Sequence, residues 1–496
     1  MNNKRNNMQS FRSIGALLLV MSCVLLSGCI NEDDIDRFIE EYFGQSTQTV
    51  ERDFEQIKES GVLRMITGYG ADKYFLRHGY ESGFEYELLN EFAKEYGLEL
   101  EVIFLGVDEH PHNLLNSGTG DVIANNYTVS SQKRRTVNFS RPYKLSDKII
   151  VYSDSLEIQP ETLEDFSVKR IPVYVRRNST DHTHLERLEE QGYDLNINFV
   201  PYNEDAKSLL MQVSGGEIKA AVLDEQTYQA GSGYFPGLQA GPVIAQKDTI
   251  AWAIRKNAPG LEAKLNSFLE KHFRFSDVRE EPLRSAFLNQ LRYRYHNQSP
   301  YVEDYYNPEK YYSSMGLISS FEDLTKSVAD SVGLDWLLLT SMVIQESGFN
   351  PEAKSFAGAV GLMQILPRFS VTEYNNLYDP LTNLHEGAWI LKNNLNHYAY
   401  LDSVNQLSFA LATYNAGNGH MIDARRLAME HNRDPNEWEN VEDALLKLMQ
   451  ERYHQYARHG YIRGIETVQY VKEIRNRYQM YNRVAALNGE KISNLH

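Results

Sequence analysis

Between Glu51 and Asn257 the apolar residues fall into short runs: Val62–Thr67, Leu100–Leu105, Asp121–Tyr127, Lys148–Ser153, Arg170–Val175, Ile197–Tyr202, Lys219–Leu223 and Thr249–Ile254. Runs of this length, rich in β-branched and aromatic residues, predict strands. Tyr86–Tyr96 carries apolar residues at helical spacing and predicts a helix among them. Strands alternating with helices imply a parallel-rich α/β sheet. Two such sets joined by two crossings predict two lobes with a hinge. From about Met315 to Tyr481 the period changes. Apolar residues recur at three and four positions in Leu334–Ile344, His385–Leu395, Leu407–Tyr414 and Val468–Tyr478, which predicts an all-α domain. The stretch Phe273–Tyr311 between them is rich in Arg, Tyr, Glu and Asn and reads as a helical connector. The domain limits that follow are 51–275, 276–314 and 315–496.

The first residues add a different signal. Lys4, Arg5 and Arg12 precede an apolar run from Ile14 to Leu26, followed by Ser27-Gly28-Cys29. A basic start, a short apolar stretch and small residues before a break read as a secretory signal. The run falls short of the about 20 residues that span a bilayer. Ser27-Gly28-Cys29 resembles the bacterial lipobox, which implies a leader over 1–29 and a lipid on Cys29, with a plain signal peptide as the alternative. Acyl chains on Cys29 would hold the chain to a membrane, each buried CH₂ contributing about 0.8 kcal/mol. By resemblance to lipoprotein sorting, Ile30 rather than Asp after the cysteine favours the outer membrane, facing the periplasm. The acidic tract over 30–50, with Glu32, Asp33, Asp34 and Asp36, reads as a tether.

Composition narrows the classes further. The 496 residues carry a formal net charge of −17, which argues against nucleic acid as a partner, since that needs a basic surface. Of the two cysteines, Cys23 would leave with the leader and Cys29 would carry lipid, so no disulfide or cysteine metal site is expected in the mature chain. No metal-ligand spacing, P-loop or dinucleotide fingerprint appears, and no cofactor is expected. His110-Pro111-His112 stands alone and reads as a loop.

Several segments of the α/β part are similar to the periplasmic amino-acid-binding protein family, the third bacterial solute-binding family. They are Ser60-Gly61-Val62-Leu63-Arg64, Gly83-Phe84-Glu85-Tyr86-Glu87-Leu88, and Thr128 to Tyr143, which ends in Phe139-Ser140-Arg141-Pro142-Tyr143. The resemblance implies a two-lobed binding fold. It places Asp224 where the family holds a ligand ammonium and Tyr74 where it often sets a stacking aromatic, with a core role as the alternative for Tyr74. The family's carboxylate-binding arginine falls on Lys133, beside Arg134. Lysine lacks the bidentate fork of arginine, so the implied ligand is a cell-wall peptide or an amino acid, or the fold is kept without its site.

Gln345 to Pro367, QESGFNPEAKSFAGAVGLMQILP, is the most specific segment. It resembles the core of the soluble-lytic-transglycosylase-like family of peptidoglycan lyases, which have a goose-type-lysozyme-like helical fold. The resemblance implies that Glu346 is the single acid and base, acting on peptidoglycan glycan strands to leave 1,6-anhydro ends. Glu346 falls in the last turn of a predicted helix ending at Gly348. The negative end of the helix dipole, and burial where it occurs, both raise the pKa of a carboxyl there, as a general acid requires. Ser355 is expected to hydrogen-bond that acid or the substrate, or else to cap a helix. Met363 and Gln364 are expected on the sugar face, or Met363 in the core. Tyr414 and Asn415, in Ala412 to Gly419, match the family's Tyr-Asn-Ala-Gly block. Glu466 and Tyr470 match its Glu-Thr-x-x-Tyr-Val element, as cleft-shaping and cleft-lining groups or as packing. The rival readings are a lysozyme-type hydrolase and a non-catalytic binding lipoprotein.

Overall fold

The computed structural model describes residues 50–487 apart from 78–79, 107–108, 157–158, 178, 202–203, 276–281, 307–320, 356 and 371. The leader, Cys29 and the acidic tether lie outside the described residues. From Glu51 onward the chain forms one compact unit.

Lobe 1 begins with β1 (Val62–Thr67), α1 (Phe84–Glu95), β2 (Glu99–Phe104), β3 (Val122–Ile123) and β4 (Asn138–Phe139). The chain then crosses to lobe 2 through β5 (Lys144–Ser153), β6 (Pro172–Arg176), α2 (Thr180–Glu190), β7 (Asn196–Val200), α3 (Ala206–Ser214), β8 (Ala220–Asp224) and β9 (Leu238–Ile250). It returns to lobe 1 as β10 (Ala253–Ile254). The two sheets run β2-β1-β3-β10-β4 and β9-β5-β8-β6-β7. β1 lies parallel to β2 and β3, and β6 parallel to β7 and β8, whereas β5 is antiparallel to both neighbours. The two crossings are paired with each other, Lys144 facing Ile250, so the hinge is a two-stranded ribbon.

Some expected runs change length for local reasons. Asp121–Tyr127 contributes only Val122–Ile123 to its sheet, because the Asp121 side chain is held by Arg52, Arg64 and Arg255 and Asn126 turns the chain at φ 52°. His110-Pro111-His112 is not a plain loop. Pro111 opens a short helix, Pro111–Asn116, with His110 as its N-cap, since proline at the first helical position needs no N–H partner.

The connector forms α4 (Ala286–Tyr295) and α5 (Pro300–Tyr306). Tyr305 packs against Tyr69 and Phe75 of lobe 1 and donates to Asp205 of lobe 2 at 3.4 Å. The helical part follows as α6 (Glu322–Val332), α7 (Trp336–Ser347), α8 (Pro380–His397), α9 (Ser403–Ala416), α10 (Asn418–Glu430), α11 (Trp438–Lys447) and α12 (Gly464–Leu487). α7 has every residue from Leu337 to Ile344 buried. A helix apolar on all sides is an interior helix. α12 leans on lobe 2 through charges: Lys472 Nζ lies 3.0 Å from Glu204 and 2.8 Å from Asp205, and Lys207 Nζ lies 2.7 Å from Glu473.

Candidate active site and inter-lobe cleft

Asp335 caps α7 by accepting from the Leu337 N–H, and Gly348 ends the helix at φ 56° with its N–H on the Ile344 carbonyl. That places Glu346 in the last turn, where the dipole disfavours a carboxylate. Ser347 Oγ donates to the Leu362 carbonyl at 2.9 Å and so ties the following loop to the helix end. The loop folds back on itself through bridges between Lys354 and Val360 and between Val360 and Ile365. Gly361 sits at φ 78°, and a Cβ there would stand 2.2 Å from Asn383 Nδ2. Asn383 is buried and ties the loop down. It accepts from the Met363 N–H at 2.7 Å and donates to the Val360 and Leu377 carbonyls.

Glu346 is half-buried. The Tyr470 hydroxyl, carried by α12, donates to Glu346 Oε1 at 2.6 Å. Burial pushes the Glu346 carboxyl up to about 8, the Tyr470 hydrogen bond working against it. The Tyr470 hydroxyl itself is held far above its usual range, first by burial and then by the neighbouring Glu346. Tyr414, on α9, feels the same carboxylate after burial, and next Glu386. Its hydroxyl donates to the Met363 carbonyl at 2.9 Å. Glu386 accepts from Ser370 Oγ at 2.8 Å. Asn415, one residue beyond Tyr414, is exposed, and its Oδ1 accepts from the buried Thr467 at 2.7 Å. The structure therefore brings Glu346, Tyr414 and Tyr470 together.

The other expected residues are placed as follows. Ser355 neither caps a helix nor touches Glu346. Its Oγ accepts from the Ala359 N–H at 2.9 Å, closing the loop. Met363 is 0 % exposed and packs against Gly387, so its side chain is core and presents no surface to a sugar. Gln364 Nε2 donates to the carbonyls of Ala353 and Gly361, which uses its donors within the loop. Glu466 is exposed and pairs with Arg463 at 2.8 Å. Thr467, Ser347 and Asn383 carry structural weight that single residues do not advertise; Thr467 and Ser347 stand inside motifs that could have flagged them, and Asn383 does not.

Between the lobes lies a cleft of about 80 Å³ lined by both lobes, including Asp72, Lys73, Lys133, Lys148, Arg176 and Asp224. Lys133 of lobe 1 donates to the Thr128 carbonyl at 3.0 Å and to Thr180 Oγ1 of lobe 2 at 2.8 Å, with its charge 3.8 Å from the Tyr127 ring centre. Burial pushes its ammonium down to about 7, with Asp181 opposing and Lys148 adding to the effect. Asn126 donates to Asp224 Oδ2 across the lobes at 2.9 Å. Asp224 also accepts from Ser146 at 2.7 Å and Lys148 at 2.8 Å. Burial alone would raise its carboxyl, but Lys148 and Lys144 outweigh it and hold it well below the usual range. Tyr74 does not line the cleft. It is 1 % exposed, wedged edge-on against Tyr86 and Phe104, with its hydroxyl donated to Glu81, so it has no free face for stacking. Among the described residues no cluster of three or more His, Cys, Asp or Glu is placed to hold a metal ion.

Family models match both parts of the chain: bacterial extracellular solute-binding proteins, family 3, over residues 68–275, and the transglycosylase SLT domain over residues 323–437. Among solved structures, an ancestral arginine-binding protein bound to arginine is 21% identical and covers 47% of this chain and 98% of its own, with a TM-score of 0.39. The truncated arginine-bound ArgBP from T. maritima is 24% identical and covers 44% of this chain and 99% of its own, with a TM-score of 0.39. Curated relatives match along nearly the whole length. The membrane-bound lytic murein transglycosylase F of Photobacterium profundum is 28% identical over 95% of this chain and 86% of its own. That of Desulfosudis oleivorans is 30% identical over 438 residues, 87% of this chain and 92% of its own. With a two-lobed α/β binding fold joined to a helical SLT domain, and likeness of that extent, the chain belongs to the membrane-bound lytic murein transglycosylase F family.

Proposed function

We propose that this chain is a peptidoglycan lytic transglycosylase in which Glu346 serves in turn as acid and base. The observation that carries the reading is the state of Glu346: at the end of an interior helix, hydrogen-bonded by Tyr470 and raised to about 8. At pH 7 a carboxyl with that value is about ten to one protonated. It can therefore give its proton to the glycosidic oxygen between N-acetylmuramic acid and N-acetylglucosamine, and the C1–O bond breaks. The substrate's acetamido group stabilises the cationic C1. Glu346, now a carboxylate, takes the proton of the muramic C6 hydroxyl as that oxygen bonds to C1. The attack is intramolecular and needs no water. The product is a 1,6-anhydro end, and the acid is restored.

Tyr470 steadies the carboxylate through its hydroxyl. The exposed amide of Asn415, with its oxygen held by Thr467, offers its NH₂ to the sugar. The two lobes act as a regulatory module that takes a cell-wall peptide or amino acid. The chain is held by a lipid on Cys29 to the outer membrane, facing the periplasm. Among the described residues no helix is long and apolar enough to cross a membrane. Cys29→Ala should move the protein from the membrane to the soluble fraction, and retention of that variant on membranes would refute the anchor.

The deciding experiment is mass spectrometry of purified sacculi digested by the protein lacking residues 1–29, beside the same protein with Glu346→Gln. Anhydro-muropeptides from the first and none from the second are expected. Reducing-end products would make the enzyme a hydrolase, and equal products from both would remove Glu346 from the chemistry.

A further inference from the structure

The cleft between the lobes has an unusual feature at Asp224, the position where the resembled family holds a ligand ammonium. Lys148 and Asp224 are direct cross-strand partners on β5 and β8, so their side chains stand on the same face of the sheet. Lys148 Nζ lies 2.8 Å from Asp224 and 3.3 Å from Asp181. Lys148 is 3% exposed, and its position is set by the register of the sheet rather than by a mobile surface chain. Asp224 already accepts three hydrogen bonds, from Ser146, Lys148 and Asn126. A ligand ammonium arriving at Asp224 would meet a fixed cation instead of a free carboxylate.

The remaining charges lining the cleft lean the other way. Lys73 Nζ has no hydrogen-bond partner among the described residues. Arg176 donates Nε and Nη2 to the Glu204 carbonyl, which leaves Nη1 for another acceptor. Lys133 keeps one of its three N–H bonds beyond Thr128 and Thr180. Against Arg176 and the two lysines, whose ammonium groups burial pushes down, stands Asp72, buried and lining the cleft beside Lys73, and a ligand carboxylate would hold both lysines charged.

We infer that this cleft selects N-acylated peptides bearing carboxylates over peptides or amino acids with a free α-ammonium, because Lys148 occupies the ammonium position. The acyl-blocked end, being neutral, tolerates Lys148, and the ligand's carboxylates fall to Lys73, Lys133 and Arg176. A peptide still joined through an amide at its amino end meets this requirement, and a free amino acid does not. The inference rests on the reading of the two lobes as a ligand-binding module.

The test is calorimetry on the protein lacking residues 1–29, with alanylglutamate and N-acetyl-alanylglutamate as probes. The acetylated form should bind at least about tenfold more tightly, since setting like charges together costs several kcal/mol and about 1.4 kcal/mol is tenfold. Lys148→Met should erase or reverse the preference by freeing Asp224 and Asp181 for a ligand ammonium. Lys73→Ala should weaken both probes together. Equal or tighter binding of the free-amine probe to the wild type would overturn the inference while leaving the cleft a binding site. Heat from neither probe would overturn the inference together with the binding-module reading. Should Lys148→Met fail to fold, the wild-type pair alone decides. The lytic activity of Glu346 is read separately on sacculi and is untouched by either result.

Discussion

Replacing Tyr470 by Phe removes one hydroxyl and little else, and it tests the electrostatics of the acid directly. The hydroxyl donates to Glu346 Oε1 at 2.6 Å, and Tyr470 is 5% exposed, so water does not readily take its place. A hydrogen bond to a charged acceptor contributes about 1.5–3 kcal/mol, and a pKa unit is about 1.4 kcal/mol. If the bond acted on the carboxylate alone, its loss would raise Glu346 by about 1–2 units. The protonated acid also accepts from Tyr470 through its carbonyl oxygen, so the lower figure applies. Glu346 then moves from about 8 upward by about one unit. The assay is the initial rate of anhydro-muropeptide release from sacculi at low substrate, followed across pH. Its alkaline limb reports the free enzyme's essential acid. The wild-type limb should fall near 8, and that of Tyr470→Phe about one unit higher. The maximal rate should drop, because the carboxylate has lost a stabilising donor. A limb that stays in place, or moves down, would refute the role given to the hydroxyl.

Three further outcomes follow from the same structure. Glu346 is raised from 4.5 to about 8, so the native state binds the extra proton between those values and wild-type stability declines as pH rises through them. Glu346→Gln has no such proton to lose. Urea unfolding should show its advantage over the wild type growing from acid to alkaline pH to about 2 kcal/mol, the half-burial discounting the full shift. An advantage independent of pH would contradict this. Gly361→Ala forces an L side chain to φ 78° and into Asn383. It should cost about 2–4 kcal/mol of unfolding free energy, read from a lowered urea midpoint, with loss of lytic rate, and a neutral result would mean the loop is not held as described. Lys472→Met leaves Glu204 and Asp205 without their shared cation. The loss should be about 2 kcal/mol, below the about 3–5 of a fully buried pair, because Lys472 keeps 27% of its side-chain surface in water. An unchanged thermal midpoint would show the pair to be idle.

Much of this was legible because it is written in local patterns. The change of apolar period separates the runs that form the two sheets from those that form helices α6 to α12, and Gly348 after an apolar run marks the end of α7. The segment from Gln345 to Pro367 is long enough that its likeness to one family points to Glu346. What the sequence hid is chiefly the destination of polar side chains. Ser355, Met363 and Gln364 stand in the right motif, yet their side chains are spent on the loop or the core. A motif marks which residues belong together, not which of them faces a ligand. Tyr74 was open between stacking and core for a related reason: an aromatic in a binding-fold loop can be wall or core, and neighbouring Tyr86 and Phe104 close over it, which makes it core. Lys148 opens an apolar run and nothing local marks it, because its partners are distant in sequence: Asp224 meets it once β5 and β8 pair, and Asp181 reaches it from α2.

The charged face of α12 is equally silent in the sequence, since nothing near Lys472 and Glu473 marks the partners they meet. In the folded chain they grip Glu204, Asp205 and Lys207 of lobe 2. Tyr470 is carried on the same helix, two residues before Lys472. A helix turns about 100° per residue, so Tyr470 and Lys472 point to different sides of α12, one toward Glu346 and the other toward lobe 2. The hydroxyl that offsets part of the burial effect on the acid is thus mounted on a rod clamped at its far face by the other domain. Hydrogen bonds weaken steeply as their geometry departs from the ideal, so a small tilt of α12 acts on the 2.6 Å bond to Glu346 before it disturbs the apolar core around α7. The proton affinity of Glu346 is therefore a property of the whole chain, set jointly by the interior helix that buries the carboxyl and by the lobe that fixes where Tyr470 stands.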